Sequence, residues 1–156
     1  MAGHEYHALI HWARGGAAFS DNRYSRGHSW RFDGGIEVPA SASPSVVRTP
    51  LAVEAAVDPE EAFVAALSSC HMLWFLDLAR RGGLVVDDYR DDARGVMGRD
   101  GAGRMAMLRV TLHPSVCFAG PAPAPQQLAA LHEHAHQECF IANSVRTEVL
   151  IEPADA

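Results

Sequence analysis

The 156-residue chain has only three cysteines, Cys70, Cys117 and Cys139, and none pairs with another as Cys-x-x-Cys. An odd, sparse set argues against a disulfide framework and for a reducing compartment. It leaves free core thiols, metal ligands or a transient redox pair. Basic residues are also short: 13 Lys and Arg face 19 Asp and Glu, for a net charge of −6. No basic run is interleaved with aromatics, so nucleic acid is excluded as a partner. The opening stretch "MAGHEYHALIHWARGG" lacks the charged, apolar and small-residue regions of a secretion signal. No apolar run approaches the roughly eighteen residues that cross a bilayer. The expectation is a cytoplasmic protein with no membrane partner. Internal repeats, Gly-rich phosphate loops and a Ser-His-Asp signature are absent as well.

What remains reads as one domain over residues 1–156, long enough to bury its own core. Residues 4–13 alternate as a strand, with Tyr6, Ala8, Ile10 and Trp12 against His7 and His11. "HSWRF", "DGG" and "IEVPAS" predict a hairpin, and "SPSVVRTPLAVEAAV" a further strand and a connection. The stretch from Asp58 to Gly83 carries both ends of a helix. Asp58 is the N-cap, Pro59 suits N1, Glu61 completes a capping box, and Arg80 and Arg81 precede Gly82 and Gly83. Between these ends it is apolar almost all round, which predicts burial. Residues 83–118 read as three strands with a turn at "RDGAG". A second helix covers "QQLAALHEHAHQECF", and "RTEVLIEP" closes as a strand. The order strands, helix, strands, helix, strand predicts an α+β fold.

Three groupings could carry chemistry. A reactive cysteine must be a reachable thiolate beside a resolving thiol. Cys70, within the first helix, and Cys139, at the end of the second, are 69 residues apart. They meet only if the helices pack together; otherwise each is a small core residue. His132, His134 and His136 precede Cys139. On a helix His132 and His136 share a face and His134 does not, so His132, His136 and Cys139 could hold a transition metal. A solvated helix face is the plainer reading. The acidic start Asp58, Glu60 and Glu61 is explained by capping except for Glu60, and Arg26, Arg31 and Arg48 are candidate partners for it. Cys117, in "HPSVCF", reads as a buried structural thiol.

Two stretches together resemble the OsmC/Ohr family, the osmotically inducible and organic hydroperoxide resistance proteins. "DPEEAFVAALSSC" (58–70) is similar to the family's Asn-Pro-Glu-Glu, apolar helix, cysteine pattern. "AHQECFIANSVRTEV" (135–149) resembles its second-cysteine segment and last strand. The resemblance implies antiparallel sheets around two long central helices in an intertwined homodimer, with active sites at the subunit interface. It also implies a thiol peroxidase that reduces organic hydroperoxides, and hydrogen peroxide less well, with no metal, flavin or haem. By match to the motif, Cys70 is the peroxidatic cysteine and Cys139 the resolving one. Glu60 positions an arginine, matched by Arg26 or alternatively Arg48. An external dithiol, typically on a lipoylated protein, completes the cycle. His71, Trp74, Phe75 and Phe140 are the side chains expected round an alkyl or lipid hydroperoxide. Phe140 stands where the family usually has proline, and His71 where it has a bulky apolar residue.

Ten residues of helix span roughly 15 Å, so Glu60 and Cys70 cannot touch along one unbroken helix. Either the helix starts later, or an arginine bridges them, or Glu60 serves the partner subunit. The competing expectations are the metal-binding module and a family-fold protein without turnover, kept for ligand binding or redox sensing.

Overall fold

In the computed structural model, which describes residues 3–154, the chain divides into two units, one ending at Ala62 and one beginning at Phe63. In the first, β1 (Ala8–His11), β2 (His28–Phe32) and β3 (Glu37–Ala40) form an antiparallel sheet in chain order. Ile10 lies opposite Trp30, and Trp30 opposite Val38. The β2–β3 turn closes with Phe32 donating to the Ile36 carbonyl at 3.0 Å, while Gly35 takes φ +88°. Glycine supplies that left-handed conformation without a Cβ clash.

The strand expected within residues 44–58 does not form. That segment runs through turns, touching β3 only by a bridge between Ala40 and Val57. Most of its backbone bonds are local, Val46 donating to Ser43, Leu51 to Arg48 and Ala56 to Val53, while the Leu51 carbonyl accepts the Arg26 amide at 2.8 Å. The buried Ser41 hydroxyl accepts the Val53 amide at 2.9 Å. Pro44 and Pro50, which donate nothing to a ladder, outweigh the β-branched residues between them.

Helix α1 (Pro59–Arg81) begins as its sequence dictates. The Asp58 carboxylate accepts the Glu61 amide at 2.7 Å, and the Glu61 carboxylate accepts the Asp58 amide at 3.4 Å. It ends in a Schellman arrangement. Leu84 donates to Ala79 and Gly83 to Arg80, with Gly83 at φ +76°. Because α1 is continuous, the option of a later helix start for separating Glu60 and Cys70 is removed. The absence of an apolar run also needs correcting. An eighteen-residue window of α1 has mean hydropathy 1.5, so by length and composition this helix could cross a membrane. Ser68, Ser69 and His71 interrupt the run without lowering its average enough. In the fold α1 buries one face, Leu67, His71, Phe75, Leu78 and Ala79.

The second unit has four strands before its helix rather than the three expected. They are β4 (Val86–Asp91), β5 (Arg94–Arg99), β6 (Met105–Leu112) and β7 (Pro114–Phe118). β4 pairs with β7, while β5 and β6 form the hairpin whose turn is Asp100–Gly103. The cause of the extra break is Asp91. Its carboxylate accepts the His113 amide at 2.6 Å and the Ser68 hydroxyl at 2.5 Å, pulling His113 out of the ladder. Helix α2 (Pro125–Glu138) has Pro125 in its first turn and the Gln127 side chain accepting the Ala124 amide. A 3₁₀ turn (Ala142–Ser144) follows, and β8 (Glu148–Ile151) joins β6 in parallel. Two clusters fill this unit. One packs Phe75, Leu78, Ala79 and Ala135 against β4 and β7; the other packs Leu67, Val110 and Leu112 against β8.

Candidate functional site

Helical spacing puts Cys70 and Trp74 on one stripe of α1 and His71 and Phe75 on the next. The end of α2 meets the first stripe. Cys139 is the residue after Glu138, with extended backbone (ψ 108°), so the chain turns inward there as the helix stops. Its thiol neighbours that of Cys70, and both cysteines are free. Cys70 is half-buried, whereas Cys139 is only 1% exposed. Burial first of all, and then the neighbouring Cys70, pushes the Cys139 thiol up to about 11. The Ala142 amide, donating to its sulfur at 3.4 Å, opposes that rise. Cys70 is therefore the more accessible of the two, and Cys139 is a sealed, protonated thiol beside it.

Trp74 and Phe140 meet edge to face at 5.3 Å, with Phe140 65% exposed. Each is a near neighbour of one of the two cysteines in sequence, so this aromatic pair flanks the thiols. His71 and Phe75 are 1% and 0% exposed and face the core instead. Phe75 lies on the His132 ring at 4.4 Å and near Tyr89 at 5.5 Å.

The histidine run does not form a solvated face as a whole. His132 is 3% exposed, because its position on α2 points at α1, where His71 Nε2 and His132 Nδ1 share a hydrogen bond at 3.1 Å. Burial, His132 and His136 together hold His71 down to about 4, and burial alone does the same to His132. Both imidazoles are neutral near pH 7. His134 is exposed and lies 3.8 Å from Glu138. No group of three or more His, Cys, Asp or Glu is arranged to hold a metal among the described residues. His132, His136 and Cys139 thus do not assemble as a ligand set.

Cys117 is exposed, contrary to the expectation of a buried thiol. Strand alternation explains this: its neighbours Val116 and Phe118 pack into the core, so Cys117 points away. In the first unit, Glu60 is half-buried in the opening turn of α1. Arg26 bonds the Tyr24 and Asn22 carbonyls and the Asn22 side chain, with its guanidinium 3.8 Å over the Tyr24 ring. Arg48 is exposed. The sequence offered no signal for the His71–His132 bond beyond the oddity of an imidazole in an apolar helix.

The OsmC-like protein family model matches residues 52–154. The whole chain is similar to a solved OsmC-like protein of unknown function from Vibrio cholerae, with 52% identity and a TM-score of 0.95. That match covers 97% of this chain and 100% of the other. Two organic hydroperoxide resistance proteins share the fold. The one from Elizabethkingia anophelis has 19% identity and TM-score 0.74, covering 99% of each chain. That of Bacillus subtilis has 15% identity and TM-score 0.67, covering 97% of this chain and 98% of that one. A search of curated proteins gives no match.

Proposed function

Since the chain belongs to the OsmC-like protein family, we propose that it is a Cys-based thiol peroxidase acting on organic hydroperoxides. The observation that carries this reading is that a half-buried Cys70 and a sealed Cys139, 69 residues apart in sequence, are neighbours in the fold. The hydroperoxide resistance proteins that share the fold support a role in peroxide defence.

The cycle uses groups already named. The Cys70 thiolate attacks the distal peroxide oxygen, the O–O bond breaks, and the alcohol leaves with a proton. Cys70 becomes a sulfenic acid. The Cys139 sulfur then attacks the Cys70 sulfur, the S–O bond breaks, and the oxygen departs as water with the Cys139 proton. An external dithiol, such as that of a lipoylated protein, reduces the resulting disulfide. Trp74 and Phe140 give an alkyl chain an apolar surface beside the reacting sulfur. The positioning roles of Glu60 and of Arg26, or alternatively Arg48, rest on the family resemblance of the sequence around them. An arginine beside the thiolate favours its charged form and orients the peroxide oxygens.

A cytoplasmic homodimer is part of the proposal. Leu73 on α1 is 61% exposed, and Val96, Met97, Met105 and Leu108 on the β5–β6 hairpin are exposed as well. Apolar surface of this extent favours a second copy as its cover. The test is intact mass after one equivalent of cumene hydroperoxide. The expected result is loss of two hydrogens in the wild type and gain of one oxygen in Cys139→Ser. No change in either protein sinks the peroxidase reading.

A further inference from the structure

One side-chain hydrogen bond joins α1 to α2, from His71 to His132, and it starts from the residue next to Cys70. The Cys139 thiol, just past the end of α2, neighbours that of Cys70. His132 and Cys139 are seven residues apart, or about 10 Å along a helix. A buried bond two turns before the end of a helix fixes its rotation there, and the residue at the end is carried with it.

The geometry of the imidazole bond is strict. The ring planes differ by only 8°, their centroids are 5.4 Å apart, and the bonded nitrogens are 3.1 Å apart. That centroid separation is the bond plus the two ring radii, so the rings meet end to end in one plane. The proton of one nitrogen lies on the lone pair of the other. A shared metal would need both lone pairs to converge on a third point, which this arrangement does not offer. A neutral imidazole offers one donor and one acceptor, so the bond works while both rings are neutral. His71 Nδ1 and His132 Nε2 are buried without a protein partner among the described residues. One of them is a stranded donor, whichever tautomers are present. The pair therefore carries a cost in the core that two leucines would avoid.

We propose that the His71–His132 hydrogen bond is a positioning device for the resolving half of the reaction. It holds α2 so that the Cys139 sulfur faces Cys70, an assignment that rests on the thiol peroxidase reading. The bond sets the rate of disulfide closure and not the rate of attack on peroxide. Closure is the displacement written above: the Cys139 sulfur bonds to the Cys70 sulfur, oxygen leaves, and the thiol proton goes with it as water.

The test follows the two steps separately in His132→Leu, His132→Asn and the double variant H71L/H132L. Cys70 oxidation is followed with cumene hydroperoxide and closure by mass. Closure is also driven by diamide, a diazene that accepts the Cys70 thiolate and is displaced by Cys139 as the hydrazine. In His132→Leu, oxidation of Cys70 keeps its wild-type rate while closure by either oxidant slows about 10- to 100-fold, the scale set by an ångström of misplacement. Asparagine presents a polar atom where Nδ1 stood, so His132→Asn recovers much of the closure rate. H71L/H132L keeps the fold, because an apolar pair replaces both partners, yet closes slowly. Wild-type closure rates in His132→Leu or in folded H71L/H132L overturn the proposal, as does a folded His132→Asn no faster than His132→Leu. If wild-type Cys70 ignores peroxide while diamide still closes the pair at rates ordered as above, the peroxidase reading fails and the positioning role stands.

Discussion

The sulfur pair and the imidazole pair start from adjacent residues of α1, and they live in opposite surroundings. The sulfurs border an aromatic pair whose Phe140 is 65% exposed. The imidazoles are closed over by Phe75 and are at most 3% exposed. Burial acts on both. It keeps Cys139 protonated, and it keeps His71 and His132 neutral so that one can donate to the other. The lesson is that one helix interface can hold an accessible thiol beside a sealed one, and a buried imidazole bond next to both. Access distinguishes them, not polarity.

The sharpest way to break this comparison is Cys70→Ser, which abolishes peroxide consumption measured by loss of cumene hydroperoxide. Cys117→Ser leaves it intact, because that thiol points off a strand edge away from the core cluster. Acid comes next and strikes the imidazole side. Unfolded histidine binds a proton near pH 6.5, whereas folded His71 and His132 resist until about 4. His136 and Tyr89 also face this cluster, and the nearness of His136 adds to the resistance of His71. The unfolded chain thus binds more protons across that window. Stability is full above pH 6.5 and falls as pH drops toward 4, by up to roughly 1.4 kcal/mol per pH unit for each histidine. Urea unfolding at pH 7, 5.5 and 4.5 measures the slope, and H71L/H132L flattens it.

At fixed pH, His132→Leu alone leaves His71 with a buried, wholly unpaired ring and destabilises the fold by about 1–3 kcal/mol, whereas H71L/H132L is neutral or stabilising. A double-mutant cycle by urea unfolding reads the difference, and equal losses in both proteins would refute the fastening role. The smallest effect is expected on the open side. Trp74→Ala removes an edge-to-face contact worth about 0.5–1.5 kcal/mol. It raises KM for cumene hydroperoxide several-fold while leaving that for hydrogen peroxide nearly unchanged.

Much of this molecule is written locally. Asp58, Pro59, Glu61, Gly82 and Gly83 determine both ends of α1, because caps are made by residues within a turn of the end they close. The Asp-Gly-Gly hairpin and the Asp100–Gly103 turn are local for the same reason. The "DPEEAFVAALSSC" motif likewise marks Cys70 and the family from sequence alone. Tertiary structure decided the rest, wherever the deciding partner is far along the chain. Asp91 breaks the ladder at His113 through a contact 22 residues away. Whether Cys117 faced in or out depended on which side of β7 the core lay. His132 looked like a surface residue until His71, 61 positions earlier, supplied its partner. A helix's sequence determines which side chains share a face, but only the element packed against that face decides whether they meet water, a thiol or another imidazole.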